Sequence, residues 1–155
     1  LLKMIHFFLL LNKQGKVRLS KWYALHSQKE RGRICRDVAS QVLYRNPRMC
    51  NFLEWKDKKL VFRRYASLYF VLCLDKNDNE LLALEIIHRY CVVMDLYFGS
   101  VCELDIVFNF EQAYLMLDEF IMAGEIQETS LRVMIKSMEH ADATEKAEYL
   151  ERSLN

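Results

Sequence analysis

From Leu68 to Leu74 every side chain is apolar or aromatic, the pattern of a strand covered on both faces. It predicts a central strand with helices packed over it. Ahead of it, Tyr65-Ala-Ser67 alternates large and small, which predicts a depression beside the aromatic side chains. Met4–Leu11 reads as another buried strand, Lys13–Lys16 as a turn and Val17–Ala24 as its hairpin partner. Strict alternation in that partner puts Arg18 and Ser20 on one face and Val17, Leu19 and Lys21 on the other. Asn51–Trp55 and Lys59–Arg64, joined by Lys56-Asp-Lys58, supply two more strands leading into the central one.

The helices follow from a longer period. Ser27 with Glu30 three residues later is a capping-box signature, and Ile34, Val38, Val42 with Cys35, Ala39, Leu43 form the stripe behind it, ended by Asn46-Pro47. A second helix is predicted from Glu80 to about Tyr97, with Leu81, Leu84, Ile87, His88, Cys91 and Met94 inward and Gly99 as its stop. A third is predicted from Glu103 to Met122, ending at Gly124, with Ile106, Phe110, Tyr114, Leu117 and Ile121 inward. An amphipathic helix after Ser130 (Leu131, Met134, Ile135, Met138) and a polar, weakly ordered tail complete the chain. The order gives an α+β fold: a five-stranded antiparallel sheet flanked by helices, with further helices at the C-terminus. Profilin-like and longin-like domains share this order.

The 155 residues fit one domain, 1–155, with Leu1–Lys3 ahead of Met4 reading as a fragment remnant and 141–155 as the tail. A composition 52% hydrophobic and 28% charged, with one Pro and four Gly, excludes general disorder. The net charge of +1 conceals an asymmetry: residues 1–64 carry 16 Lys/Arg against 4 Asp/Glu, and residues 65–155 carry 6 against 17. That gives either a basic anion-binding surface or two halves that interleave and neutralise each other. Five cysteines without a C-x-x-C pair, three inside apolar runs, read as reduced, buried thiols of a cytosolic protein, and no metal or cofactor motif occurs. The apolar stretch from Met4 to Leu11 is short and broken by His6, unlike a signal peptide, and no run reaches membrane-spanning length.

Catalytic constellations are absent from the pattern. His6, His26, His88 and His140 are scattered, no nucleophile-elbow or phosphate-loop motif is present, and Glu103-Leu-Asp105 reads as a pair complementing a helix start. His88 on the apolar stripe reads as a core or interface residue. Lys21-Trp-Tyr23 and Arg63-Arg-Tyr65 place cations beside aromatics, but those aromatics continue apolar runs, so core packing is preferred over nucleic-acid stacking. Arg18 and Arg64 are better suited to hold a carboxylate or phosphate near an apolar depression at Ala66 and Leu68.

Longer words then become specific. Gln14-Gly-Lys-Val-Arg-Leu-Ser-Lys-Trp-Tyr23, Arg64-Tyr-Ala-Ser-Leu-Tyr-Phe70, Leu84-Glu-Ile-Ile-His88, Tyr97-Phe-Gly-Ser-Val-Cys-Glu-Leu-Asp-Ile-Val-Phe-Asn-Phe110 and Gly124-Glu-Ile-Gln-Glu-Thr-Ser130 closely resemble the small (sigma) chain of clathrin-associated adaptor complexes. The resemblance runs from about Met4 to His140, and Tyr65-Ala-Ser67, Tyr97-Phe-Gly-Ser100 and Leu53-Glu-Trp55 look most like the trans-Golgi and endosomal adaptor type.

The resemblance implies a longin-like fold without enzymatic activity or cofactor. It also implies a place in a heterotetramer, in direct contact with one large chain and alongside a second large chain and a medium chain. The chain would then be cytoplasmic and peripheral on trans-Golgi and endosomal membranes and clathrin-coated vesicles. It would touch membrane only through the complex and bind no nucleic acid. Its cargo would be cytosolic tails with an acidic dileucine signal, [DE]-x-x-x-L-[LI]. By motif position, Ala66 and Leu68 of the central strand, Cys91, Ser100, Val101, Leu104 and Ile106 would line the leucine pockets, and Arg18 would meet the acid. Cys91 and Ser100 replace the Val and Asn of some relatives, which bears on the preference for Leu over Ile. Burying two leucines contributes about 1.5–3 kcal/mol each, which after association costs supports binding on the order of micromolar or weaker. The alternatives are a structural brace for the large chain that never touches cargo, and a standalone longin-type domain binding anionic membrane or nucleic acid with steep salt dependence.

Overall fold

A computed structural model describes residues 5–123, with side chains to Ile121. The expected helix stop at Gly124, the helix after Ser130 and the polar tail lie outside the described residues, as do Leu1–Met4. Among the described residues nine elements follow one another: β1 (Ile5–Leu11), β2 (Val17–Trp22), α1 (Gln28–Leu43), β3 (Phe52–Trp55), β4 (Lys58–Tyr65), β5 (Leu68–Asp75), α2 (Glu80–Phe98), α3 (Glu103–Phe108) and α4 (Phe110–Ala123).

The five strands form one antiparallel sheet in the order β2-β1-β5-β4-β3, so the wholly apolar run of β5 holds the middle position. Alternation along β1 and β5 splits the core in two. Phe7, Leu9, Leu11, Val71 and Cys73 face α1, where Ile34, Val38, Ala39 and Val42 cover them. Phe8, Leu10, Phe70, Leu72 and Leu74 face the opposite layer, built from α2, α3 and α4. Both central strands are therefore covered on both sides, which accounts for their continuous hydrophobicity.

Local chemistry sets the boundaries. Ser27 and Glu30 make the reciprocal capping box at the start of α1. Asn12 organises the β1–β2 loop, its side-chain oxygen accepting from the Gln14 and Lys16 amides at 3.0 and 2.9 Å. Gly15 in that loop has φ +83, and a Cβ there would lie 3.1 Å from Leu43 Cδ1 of α1. The charge asymmetry is partly cancelled by pairs that join the two halves: Arg18–Glu103, Lys21–Asp118 and Lys59–Glu80.

Several expectations are corrected. The third helix is two: at Asn109 (φ −128, ψ 41) the path turns, and the Asn109 amide side chain donates to Asp105 O at 3.1 Å, competing with regular helix bonding. Phe110, expected inward, is consequently half exposed, whereas Ile106 and Leu117 are buried. The buried face of α2 is Ala83, Ile87, Tyr90, Cys91, Val93 and Met94, while Leu81 and His88 face outward, so His88 is not a core residue. Ala66 is not inside the central strand: it sits in the β4–β5 turn, exposed, with φ +53. The depression expected from small residues within the sheet is therefore a turn at its edge.

Candidate functional site

In β2 a bulge decides where Arg18 points. Leu10 pairs with Leu19 but Leu11 pairs with Val17, so Arg18 is the extra residue. Val17 accordingly packs with the α1-side core while Leu19 joins the opposite one, which two positions on a regular strand would not do. The expected sharing of one face by Val17 and Leu19 is thus overturned. Arg18 Nε donates to Glu103 Oε1 at 2.7 Å, and Asn12 Nδ2 donates to the same oxygen at 2.9 Å. The Asn12 bond, and then the Arg18 bond, hold the Glu103 carboxyl below its ordinary value.

Four of the eight expected site residues meet in one place. Leu68 at the start of β5, Cys91 of α2, Val101 of the α2–α3 connection and Ile106 of α3 belong to the same apolar cluster and are at most 3% exposed. Burial pushes the Cys91 thiol up to about 12, against an opposing pull from Arg63. Ala66, Ser100 and Leu104 lie outside that cluster and are exposed, Leu104 by 63%. The apolar cluster is therefore closed, with exposed members of the set around it. Arg18 is tied to α3, the helix that carries Leu104 and Ile106.

The connection from α2 to α3 is shaped by Asp95, which the sequence pattern did not single out. Its backbone oxygen accepts from the Gly99 and Ser100 amides, and its carboxylate accepts from the Val101 amide at 3.0 Å. The Tyr65 hydroxyl also bonds Asp95, which raises the phenol above its ordinary value. Gly99 and Ser100 are both left-handed, with φ +65 and +69. Asp95 thus turns the chain sharply so that Val101 enters the core. Glu103 and Asp105 both lie in the first turn of α3, as expected; Cys102 N donates to Asp105 Oδ2 at 2.9 Å, and Glu103 is in addition bound to Arg18.

Arg64 does not join Arg18. It lies over Tyr69 at 5.6 Å, donates to Ala66 O at 3.0 Å and lines a separate cavity of about 400 Å³ beside the end of α1, with Arg45, Pro47 and Phe62. Strand alternation instead puts Arg63 with Val61 on the α2 side, where its charge acts on Cys91. Trp22 is engaged by Phe7 at 5.0 Å and by Arg31 at 5.4 Å. Among the described residues, no three His, Cys, Asp or Glu side chains gather as metal ligands, and no helix is long and apolar enough to cross a membrane.

The profile of the family described as clathrin adaptor complex small chain matches residues 4–145. The chain belongs to that family. This small chain is 56% identical over 137 residues to the AP-1 complex subunit sigma-2 of Dictyostelium discoideum, covering 88% of this chain and 89% of the relative. It is 52% identical over 151 residues to human AP-1 complex subunit sigma-1A, covering 97% and 96%. With mouse AP-1 complex subunit sigma-3 the identity is 57% over 139 residues and 90% of each chain. The small chain's fold matches a chain of a homology model of the full-length AP-3 complex in a stretched open conformation, at TM-score 0.74, 24% identity and coverage of 96% and 99%.

Proposed function

We propose that this small chain serves an AP-1-type adaptor at trans-Golgi and endosomal membranes, where it binds the acidic dileucine signals of cargo tails. It does so as a recognition subunit, not as an enzyme. The carrying observation is the convergence of Leu68, Cys91, Val101 and Ile106, from three separate stretches of chain, on one apolar cluster beside the Arg18-bearing hairpin. Two leucine side chains would enter as α3 moves outward, with Ala66, Ser100 and Leu104 at the rim and Arg18 facing the upstream acid. Individually weak binding suits a sorter that gains avidity from a clustered coat.

The test is made in the assembled complex, with the small chain co-purified with its large chain. Ala66→Trp adds bulk at an exposed turn without touching the core and is expected to abolish dileucine-peptide capture while assembly persists. Val101→Asp places a carboxylate in the cluster and is expected to do the same where it assembles. Undiminished capture by both variants would refute the site.

A second reading has an observation of its own. Val107, Phe108, Phe110 and Leu115 expose apolar surface on α3 and α4, as a brace for the large chain would require. Loss of assembly on changing these residues, with no effect of Ala66→Trp on peptide, would favour it.

A further inference from the structure

The Arg18 side chain is not waiting for a ligand. Its Nε and terminal nitrogen both converge on Glu103 Oε1, at 2.7 and 2.5 Å, and Asn12 adds a third donor to that oxygen. The pair is largely shielded, with side-chain exposures of 23% and 28%. The Nε–H and one terminal N–H of the Arg18 guanidinium are therefore already engaged by a carboxylate of the same chain, with Lys16 the other nearby cation.

Glu103 also has a mechanical position. It opens α3, a helix of six residues, two residues after Val101 and three before Ile106. The helix is bounded by the left-handed Gly99-Ser100 pair and by the turn at Asn109. With α3 in this place Ile106 is 0% and Val101 2% exposed, so the leucine slots are shut. Glu103 is the polar tie between this short segment and the β1–β2 hairpin, held by Arg18 and by Asn12 together.

Building on the dileucine reading, we propose that Glu103 is an internal competitor for the cargo acid. Its carboxylate holds Arg18 and keeps α3 over the apolar cluster until the acid of the signal exchanges for it. Acid and leucine recognition are thereby coupled: displacing Glu103 from Arg18 frees the helix that covers the leucine slots. The exchange replaces one carboxylate by another at the same guanidinium, so the net gain from the cargo acid is small in the native chain and larger once Glu103 loses its charge.

The experiment uses the assembled complex with native chain, Glu103→Gln and the double variant Arg18→Gln/Glu103→Gln. Each is titrated with a labelled E-x-x-x-L-L peptide, its Q-x-x-x-L-L counterpart and an E-x-x-x-A-A control. The ratio of the first two affinities is expected to rise about three- to ten-fold in Glu103→Gln, the scale of a partly shielded charge-assisted bond, and to lose that rise in the double variant. An unchanged or reduced ratio in Glu103→Gln overturns the competitor. A purely structural role for Glu103 would move both peptides together and leave the ratio alone.

Amide hydrogen exchange without peptide provides an independent arm. Glu103→Gln is expected to speed exchange within residues 99–109, and unaltered exchange there overturns the latch. If the native complex binds neither peptide in a leucine-dependent way, the dileucine reading itself fails, whereas leucine-dependent binding with an unmoved ratio rejects only the role given to Glu103.

Discussion

Tyr90 joins α2 to the sheet and to α4, and its contribution separates into a ring and a hydroxyl. The ring lies 5.7 Å from Phe8, 5.9 Å from Phe70 and 6.0 Å from Phe120, bridging the sheet, α2 and α4. The residue is 1% exposed, and its hydroxyl donates to Ala113 O of α4 at 2.8 Å. Tyr90→Phe keeps the ring and removes one buried hydrogen bond, a net cost of about 0.5–1.5 kcal/mol. Tyr90→Ala empties the space between the layers and costs about 3–5 kcal/mol, as for other buried aromatic truncations. Against a total stability of about 5–15 kcal/mol, the first variant stays folded and the second loses a large fraction. Urea unfolding followed by far-ultraviolet circular dichroism measures both. With a slope of about 1–3 kcal/mol per molar urea, Tyr90→Phe lowers the midpoint by roughly 0.2–1.5 M and Tyr90→Ala by a severalfold larger step. Equal losses from the two variants, or a loss under about 1 kcal/mol for Tyr90→Ala, would refute the packing derived for α2 against the sheet and α4.

Three further outcomes follow from the same geometry. Ala66 holds a left-handed turn conformation that disfavours a Cβ, so Ala66→Gly is expected to stabilise the chain by about 0.5–1 kcal/mol in thermal unfolding, and destabilisation would contradict the turn. Ser27→Ala removes the side-chain half of the capping box on α1 and is expected to cost about 1 kcal/mol in the same assay. Burial raises Cys73 and Cys91 from 9.0 to about 12 and Tyr90 well above 10.0. These groups stay protonated in the folded chain while the unfolded chain loses its protons at the ordinary values. Their contribution is therefore complete below about pH 9 and declines as pH rises above it. Chemical denaturation at pH 8 and 10 should show this fall, weakened in a Cys73→Ala/Cys91→Val variant.

The sequence pattern revealed whatever depended on an uninterrupted or sharply punctuated signal. The β5 run, the capping box at Ser27 and the stop at Gly99 each rest on one local physical cause, and each appears where that cause puts it. The inward face of α2 was harder because the helix is apolar nearly all round. Its pattern barely distinguishes a face containing Leu81 from one containing Ala83 and Tyr90, and packing against the sheet decides. The break at Asn109 depends on one side chain competing for a helix carbonyl. The bulge at Arg18 leaves no mark in Val17-Arg-Leu-Ser20, since alternation reads the same with or without an extra residue. Of the candidate site, Leu68, Cys91, Val101 and Ile106 come together, whereas the engagement of Arg18 by Glu103 and the role of Asp95 needed three dimensions.

The proposed role has this small chain read a leucine pair together with an upstream acid. Its most direct test is fluorescence anisotropy of a labelled [DE]-x-x-x-L-L peptide titrated with the small chain bound to its adaptor large chain, beside a Leu-Leu to Ala-Ala control. Saturable binding, on the order of micromolar or weaker, that disappears in the control is the expected result. Equal binding of both peptides, or none to a well-assembled complex, would contradict it.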